Sequence, residues 1–493
     1  MSKMKKHCKK LLAIAACASV MFTVTSCGEL THYFADGKEL DEFLKKVAQK
    51  EEADFQDEVE HSKDDLMRIK SSKDLLKFKK RVENGEIALG AVLTKDIDMS
   101  DICGETIGNW EPITEYAGTF DGDNHSIKNL YINNNTDEYT GLFGRALEDS
   151  LIKNVTMEDF QITSEKTSGS LAGSSRGTVE NCHSDGQLTA TSKVSGGLCG
   201  IGEIMINCSN RGTVNGVETT VGGVVGEMRG TIENCWNEGS IESTGNYVGG
   251  VIGSLTEDIN HGKLPVFATD CYNTGKVTNT AICAGGVIGH AHNFVINRCY
   301  NLGEVSALAG AGGIVATASS ERKADKQSVI ENCYNKGCIA AINWTGMFKD
   351  GSNIVTKQTA GGIADVMDGC IVNCYNEGDL SVSAENALEG SVHGIGSATF
   401  VTNSYAHGSL TAADDSMKIG IGYTSTSQTN PSTFYLEGLE NDTPGSPEAF
   451  FTDGSLLLAL QSFSPDGLED DYYPLELSSW VQGENGIPRF DWE

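Results

Sequence analysis

The chain has 493 residues, 39% of them apolar and 7% aromatic, and a formal net charge of −31. A surface of that sign repels phosphate backbones and anionic headgroups, which argues against a nucleic-acid partner. After the first 30 residues no apolar run approaches the length of a transmembrane helix.

In chain order, Lys3, Lys5, Lys6, Lys9 and Lys10 precede an apolar run from Leu11 to Val24, which stops at Val24-Thr25-Ser26-Cys27. The run is too short to span a bilayer stably and has the anatomy of a secretory signal. Small residues followed at once by Cys27, Gly28 and Glu29 resemble the bacterial lipobox, whose cysteine is acylated with palmitate-like chains. The plainer alternative is an ordinary signal peptide with an incidental cysteine. On the lipobox reading, residues 1–26 are removed, Cys27 is the lipidation site, and 27–35 tether the chain to the bacterial cell envelope at its surface. Removal takes away five lysines and no acids, deepening the net charge to −36, so membrane contact would run through the lipid alone.

Residues 36–85 read as a helical stem and N-terminal cap. Leu40, Phe43, Leu44 and Val47 fall at helical spacing, which predicts a stem over 36–70. Ser72 as N-cap, an apolar face of Leu75, Leu76, Phe78 and Val82, and Gly85 as terminator predict a helix over 72–83.

From 86 to 425 the sequence repeats. A glycine-bracketed unit recurs as Gly222-Gly-Val-Val-Gly226, Gly249-Gly-Val-Ile-Gly253 and Gly285-Gly-Val-Ile-Gly289, followed by a second unit such as Ile330-Glu-Asn-Cys-Tyr-Asn335. Cys182, Cys208, Cys235, Cys271, Cys299, Cys333 and Cys374 occupy one repeat position, at spacings of 26, 27, 36, 28, 34 and 41 residues. The shortest spacings give the period and the others add insertions. Each period holds three short β-rich runs separated by Gly and Asn turns. Runs too short to bury a face alone, repeated this often, predict an all-β, right-handed parallel β-helix (a solenoid) of ten to eleven coils. Stacked at about 4.8 Å, such coils would extend on the order of 50 Å. Residues 426–493 read as a C-terminal capping segment, with a Leu-rich helix over 455–462 and strands within 480–492.

These units are similar to the GLUG repeat family, named for a Gly-Leu-any-Gly core. The likeness covers roughly residues 86–493, with Thr119-Phe-Asp-Gly122 and Gly141-Leu-Phe-Gly144 in an opening coil and Gly486-Ile-Pro-Arg-Phe490 in a closing segment. The resemblance implies a bacterial cell-surface protein with an adhesive or host-facing role. Some members carry a zinc protease domain with His-Glu-X-X-His; that motif is absent from this sequence, so no protease activity carries over. The repeat at Asn403-Ser-Tyr405 departs from the Asn-Cys-Tyr pattern.

Three features invite chemistry. The seven repeat cysteines form a ladder, and parallel in-register side chains do not converge as a disulfide requires, so a reduced, buried stack is expected rather than bridges or a metal cage. Beside it, Trp236, Tyr272, Tyr300, Tyr334, Tyr375 and Tyr405 form an aromatic column on the opposite face, either a strip that grips a glycan or rings that stack on one another. Insertions at 254–268 and 317–328 interrupt one corner, with His290 and His292 between them; Asp258, His261, Lys263, Arg322 and Asp325 would share that edge. A third insertion, 340–358, carries Trp344, Met347 and Phe348. Loops on a rigid scaffold are where specificity resides, so this edge is the candidate binding surface, tolerated drift being the alternative. Asp121-Gly-Asp123 suits a turn better than a calcium loop.

No phosphate loop or zinc helix motif is present, and no spacing demands a metal or cofactor. The expectation is a display or adhesion protein for an extracellular protein or polysaccharide. The alternative is a carbohydrate-active β-helix enzyme, a polysaccharide lyase or hydrolase with an acidic site among the 68 carboxylates. A structural envelope component is a third reading.

Overall fold

The structure, a computed structural model, describes residues 66–493 apart from 134–136, 192–193, 218–219, 257–264, 320–326, 343–357, 384–389, 413–416, 423–431, 439–444 and 466–474. Cys27, the tether and residues 36–65 of the expected stem lie outside the described residues.

One coil illustrates the rest. Strands Cys283–Gly285, Ile288–His292, Phe294–Asn297, Tyr300–Asn301 and Val305–Ala307 follow one another, and each pairs in parallel with its copy on the next coil. Repetition of this unit builds an all-β parallel solenoid. The strands that open each Gly-Gly unit alone form a sheet of ten, from Tyr139–Thr140 to Lys418–Ile419. The three runs per period are cut into five strands, because single residues in left-handed backbone turn the chain within a run. Asn181, Asn207, Asn234, Asp270, Arg298, Asn332, Asn373 and Asn403 hold φ between 45° and 55°. Asparagine tolerates that conformation better than most residues, which is why it precedes the repeat cysteine. After it the side chains alternate, Cys inward, ring outward, Asn inward.

The Gly-Gly unit is a close approach between coils. A Cβ on Gly313 would lie 1.9 Å from the carbonyl oxygen of Gly362 on the next coil. The residue that follows fills the core; Leu198, Val224, Val251, Val287, Ile314, Ile363 and Ile395 are fully buried in one column.

The first strand is Met67–Ile69, paired with Ala91–Leu93, so a strand stands where the stem helix was expected to end. An open sheet edge takes up those residues. Helix Ser72–Glu83 follows as expected, but its N-cap is Ser71, whose extended backbone (φ −160°, ψ 159°) lets Oγ accept from Asp74 N–H at 3.2 Å. Ser72 lies inside the first turn and is buried. Leu75, Phe78 and Val82 close the first coil, Phe78 meeting Tyr116 and Phe120 at 5.6 and 5.7 Å.

At the other end, strand Thr433–Tyr435 pairs with Ser404–Ala406 and finishes the ladder. Beyond it come helices Glu448–Thr452 and Ser455–Gln461 and an antiparallel pair, Trp480–Gln482 with Pro488–Phe490. This segment does not simply plug an end. It runs along the flank of the last four aromatic coils, where Phe451, Trp480 and Phe490 pack with Tyr334, Tyr375 and Tyr405.

Candidate functional site

Three internal columns and one flank carry what the solenoid can do. The repeat cysteines are buried and unbridged. Each sulfur lies in a hydrogen-bond network. Sγ of Cys208, Cys333 and Cys374 donates to the carbonyl two residues back at 3.3, 3.1 and 3.2 Å, and the backbone N–H groups of Cys208, Cys299 and Cys333 donate to the sulfur of the next coil at 3.3–3.4 Å. Burial pushes the thiols of Cys182, Cys235, Cys271 and Cys333 well above the usual range, which keeps them un-ionised and poor nucleophiles. Among the described residues no three His, Cys, Asp or Glu side chains group so as to hold a metal ion.

The second column is an asparagine ladder that sequence reasoning did not single out. Asn210, Asn237, Asn273, Asn301, Asn335 and Asn376 are fully buried. Each Nδ2 from Asn210 to Asn335 donates to Oδ1 of the next at 2.8–2.9 Å, and also to the carbonyl of its own turn glycine. A side-chain amide, with two donor hydrogens and a carbonyl oxygen, can serve both its neighbour and its own turn glycine while accepting from the coil before. The signal was the Asn two residues after every repeat cysteine but Cys182, always two residues before a glycine.

The aromatic column is stacked face to face. From Tyr272 to Tyr405, successive centroids lie 4.8, 4.9, 4.9 and 5.0 Å apart with rings within 6° of parallel, and Trp236 extends the stack at 5.8 Å. Ring faces are therefore used by neighbouring rings, leaving edges and hydroxyls outward, and a sugar has no flat face to lie on within the stack. The C-terminal segment covers the later rings. Tyr405 donates to Pro488 O at 2.5 Å, Tyr375 to Glu493 Oε2 at 2.7 Å, and Trp480 Nε1 to Asn373 Oδ1 at 2.6 Å. Beneath it Glu331 is buried, and that burial raises its carboxyl to about 8.

The insertion edge is described only in part. His290 and His292 lie on strand Ile288–His292, with His290 4.7 Å from the Tyr247 ring, and burial lowers the pKa of His290. His261, Lys263, Arg322, Trp344, Met347 and Phe348 lie outside the described residues. Register places the flanks of 257–264 and 320–326 at one corner, since Leu255, Ala291 and Ala318 are paired in line and Val295 pairs with Val329. The flanks of 343–357, strands Ile339–Ala341 and Thr359–Gly361, stand at a different corner. Asp121 serves a turn: its Oδ1 accepts from Asp123 N–H at 2.9 Å and from Asn154 Nδ2 at 3.0 Å.

A shallow depression of about 160 Å³, also unforeseen, is lined by Tyr139, Arg145, Arg176, Glu203 and Arg229. Its arginines are ion-paired: Arg145 with Glu115 at 3.1 Å, Arg176 with Glu148 at 3.2 Å and Arg229 with Glu227 at 2.6 Å.

No family model matches the chain. It is 34% identical over 122 residues to halomucin of Haloquadratum walsbyi, a match that covers 23% of this chain and 1% of that protein. It is 31% identical over 96 residues to a candidate Gly-rich membrane protein of Evansella cellulosilytica, covering 18% of this chain and 11% of that protein. The chain thus spans only a small part of the curated relatives it matches. A crystal structure of a candidate immunoglobulin A1 protease from Bacteroides ovatus aligns with a TM-score of 0.35 at 16% identity, over 87% of this chain and 93% of that one. A likeness of that degree carries no argument about fold or function.

Proposed function

We propose that the chain is a GLUG-type surface lipoprotein, anchored through Cys27, whose solenoid presents binding surfaces to an extracellular protein or polysaccharide. The observation that carries this reading is the division of labour within each coil. The cysteine, asparagine and apolar columns are satisfied internally, while the strands that flank the inserted stretches 257–264 and 320–326 are held in register. A rigid scaffold with variable corners suits recognition of a large partner. The name of the Evansella relative, a membrane protein, is in keeping with an envelope location.

The test is an array of glycans and host matrix proteins probed with residues 28–493, beside a variant lacking 342–356. Selective binding lost in the variant supports the reading and locates the surface. No binding, joined by cleavage of a polysaccharide, favours the enzyme reading, and silence on both favours an envelope scaffold. Labelling cells with radioactive palmitate tests the anchor, with incorporation expected in the native chain and none in Cys27→Ala.

A further inference from the structure

Two coils carry nearly the same six residues, Ile232-Glu-Asn-Cys-Trp-Asn237 and Ile330-Glu-Asn-Cys-Tyr-Asn335. On the second, the chain's own segment 475–493 is docked. Glu331 Oε2 accepts from the backbone N–H of Glu476 at 3.0 Å. Asn332 donates to the carbonyl of Glu476 at 2.7 Å and accepts from the N–H of Ser478 at 2.7 Å. One coil on, Asn373 donates to the carbonyl of Ser478 at 3.0 Å, and the ring of Trp480, two residues later, lies 6.0 Å from Tyr375. The solenoid reads main-chain groups with an asparagine and places an aromatic side chain against the stacked rings. Such docking asks of its occupant an extended backbone and one aromatic residue two positions past the carbonyl that is read.

On the first coil an equivalent asparagine, Asn234, and an equivalent ring pair, Trp236 and Tyr272, are laid out with no described segment of the chain over them, while Asp270, paired with Arg298 at 2.6 Å, stands where the covered coils have Asn373. Asn234 is exposed, and Glu233, Trp236 and Tyr272 are half-buried. The amide of Asn234 is already oriented, donating to Asn207 Oδ1 at 2.6 Å as Asn332 donates to Asn297 at 2.8 Å. Trp236 lies within 7° of parallel with Tyr272, so its outer edge continues the strip that holds the C-terminal segment. The covered and open stretches belong to one column of stacked rings.

We propose that Asn234, Trp236 and Tyr272 form a second docking site, which takes an extended peptide segment of a partner protein bearing a Trp, Tyr or Phe. The site is continuous with the covered track and needs nothing from the anchor or the inserted corners, so it stands apart from the surface-display reading.

The probe is a fluorescein-labelled peptide copying residues 475–493, carrying a photo-crosslinker and titrated by anisotropy into the full mature chain. Saturable binding is expected, with crosslinks near 234–236. Trp236→Ala and Asn234→Gly should each weaken it about tenfold, a difference of about 1.4 kcal/mol. Glycine at 234 keeps the left-handed backbone, and unchanged melting of both variants shows that the solenoid is intact. Trp236→Tyr, which copies the covered coil, should restore binding. No saturable binding at millimolar peptide overturns the proposal. So does binding untouched by both variants with crosslinks at 331–376, which would mean that the peptide had exchanged with the chain's own segment.

Discussion

Replacing Asn301 by alanine removes four hydrogen bonds at once. Nδ2 donates to Gly303 O and Asn335 Oδ1, both at 2.8 Å, and Oδ1 accepts from Gly303 N–H at 3.2 Å and Asn273 Nδ2 at 2.9 Å. The side chain is fully buried, so water does not replace these partners readily. A buried polar group left without its partner costs about 1–3 kcal/mol. Asn273 and Asn335 each keep a bond to their own turn glycine, which limits the loss on those sides. The total expected for Asn301→Ala is about 3–5 kcal/mol.

Asn301→Asp separates donors from acceptors. The carboxyl still accepts from Gly303 and Asn273, but where the amide donated it now sets oxygen against Gly303 O and Asn335 Oδ1. A proton on the carboxyl restores one donor, so the fold holds the group neutral and raises its pKa above the unfolded value of about 3.9. Its stability is then full below that value and falls as pH rises toward the folded pKa, at about 1.4 kcal/mol per pH unit. Urea unfolding of both variants and the native chain, followed by far-UV circular dichroism between pH 4 and 8, measures this. Solenoids can unfold in parts, so the relevant midpoint is that of the transition assigned to the central coils by hydrogen exchange. Asn301→Ala within about 1 kcal/mol of the native chain, or Asn301→Asp with no slope relative to it, would refute the reasoning.

The other outcomes follow from the same contacts. Glu331, raised to about 8 by burial beneath residues 475–478, favours the docked segment while neutral. Its contribution should fade as pH rises from its ordinary 4.5 to about 8, seen as faster proteolysis of 475–493, and Glu331→Gln should flatten that profile. Trp480→Ala loses the bond to Asn373 and the contacts with Tyr375, Tyr405 and Phe490, a loss of about 3–5 kcal/mol; it should raise tyrosine accessibility while leaving early-coil exchange protection intact. Thiol titration of residues 66–493 should modify Cys338 alone in the native state and the other eleven described cysteines only after denaturation. Gly313→Ala drives a Cβ into a backbone oxygen of the next coil, so its melting temperature should fall far more than that of Gly144→Ala, whose Cβ would meet nothing nearer than 3.3 Å.

What was legible in the sequence is what repeats. A residue type at one position of every coil is tested by its neighbours above and below, so the cysteines, the outward rings and the parallel ladder follow from spacing alone. The capping helix was legible too, because its apolar face is a local signal, although the adjacent serines exchanged roles once the backbone at Ser71 was extended. The docked segment was not legible. Trp480 meets Asn373 across 107 residues, and Glu476 meets Glu331 across 145, with no periodicity to announce either contact. Yet the segment gives late coils partners that early coils of the same pattern lack. Under cover, the aromatic position is Tyr, whose hydroxyl finds Glu493 or Pro488, and Glu331 gives up water for a backbone donor. Away from it, the position is His183, Ser209, Trp236 or Tyr272, and Trp236 turns its indole N–H to Glu238 at the surface. In a solenoid the repeat specifies the fold, and the departures between equivalent coils record what each coil faces.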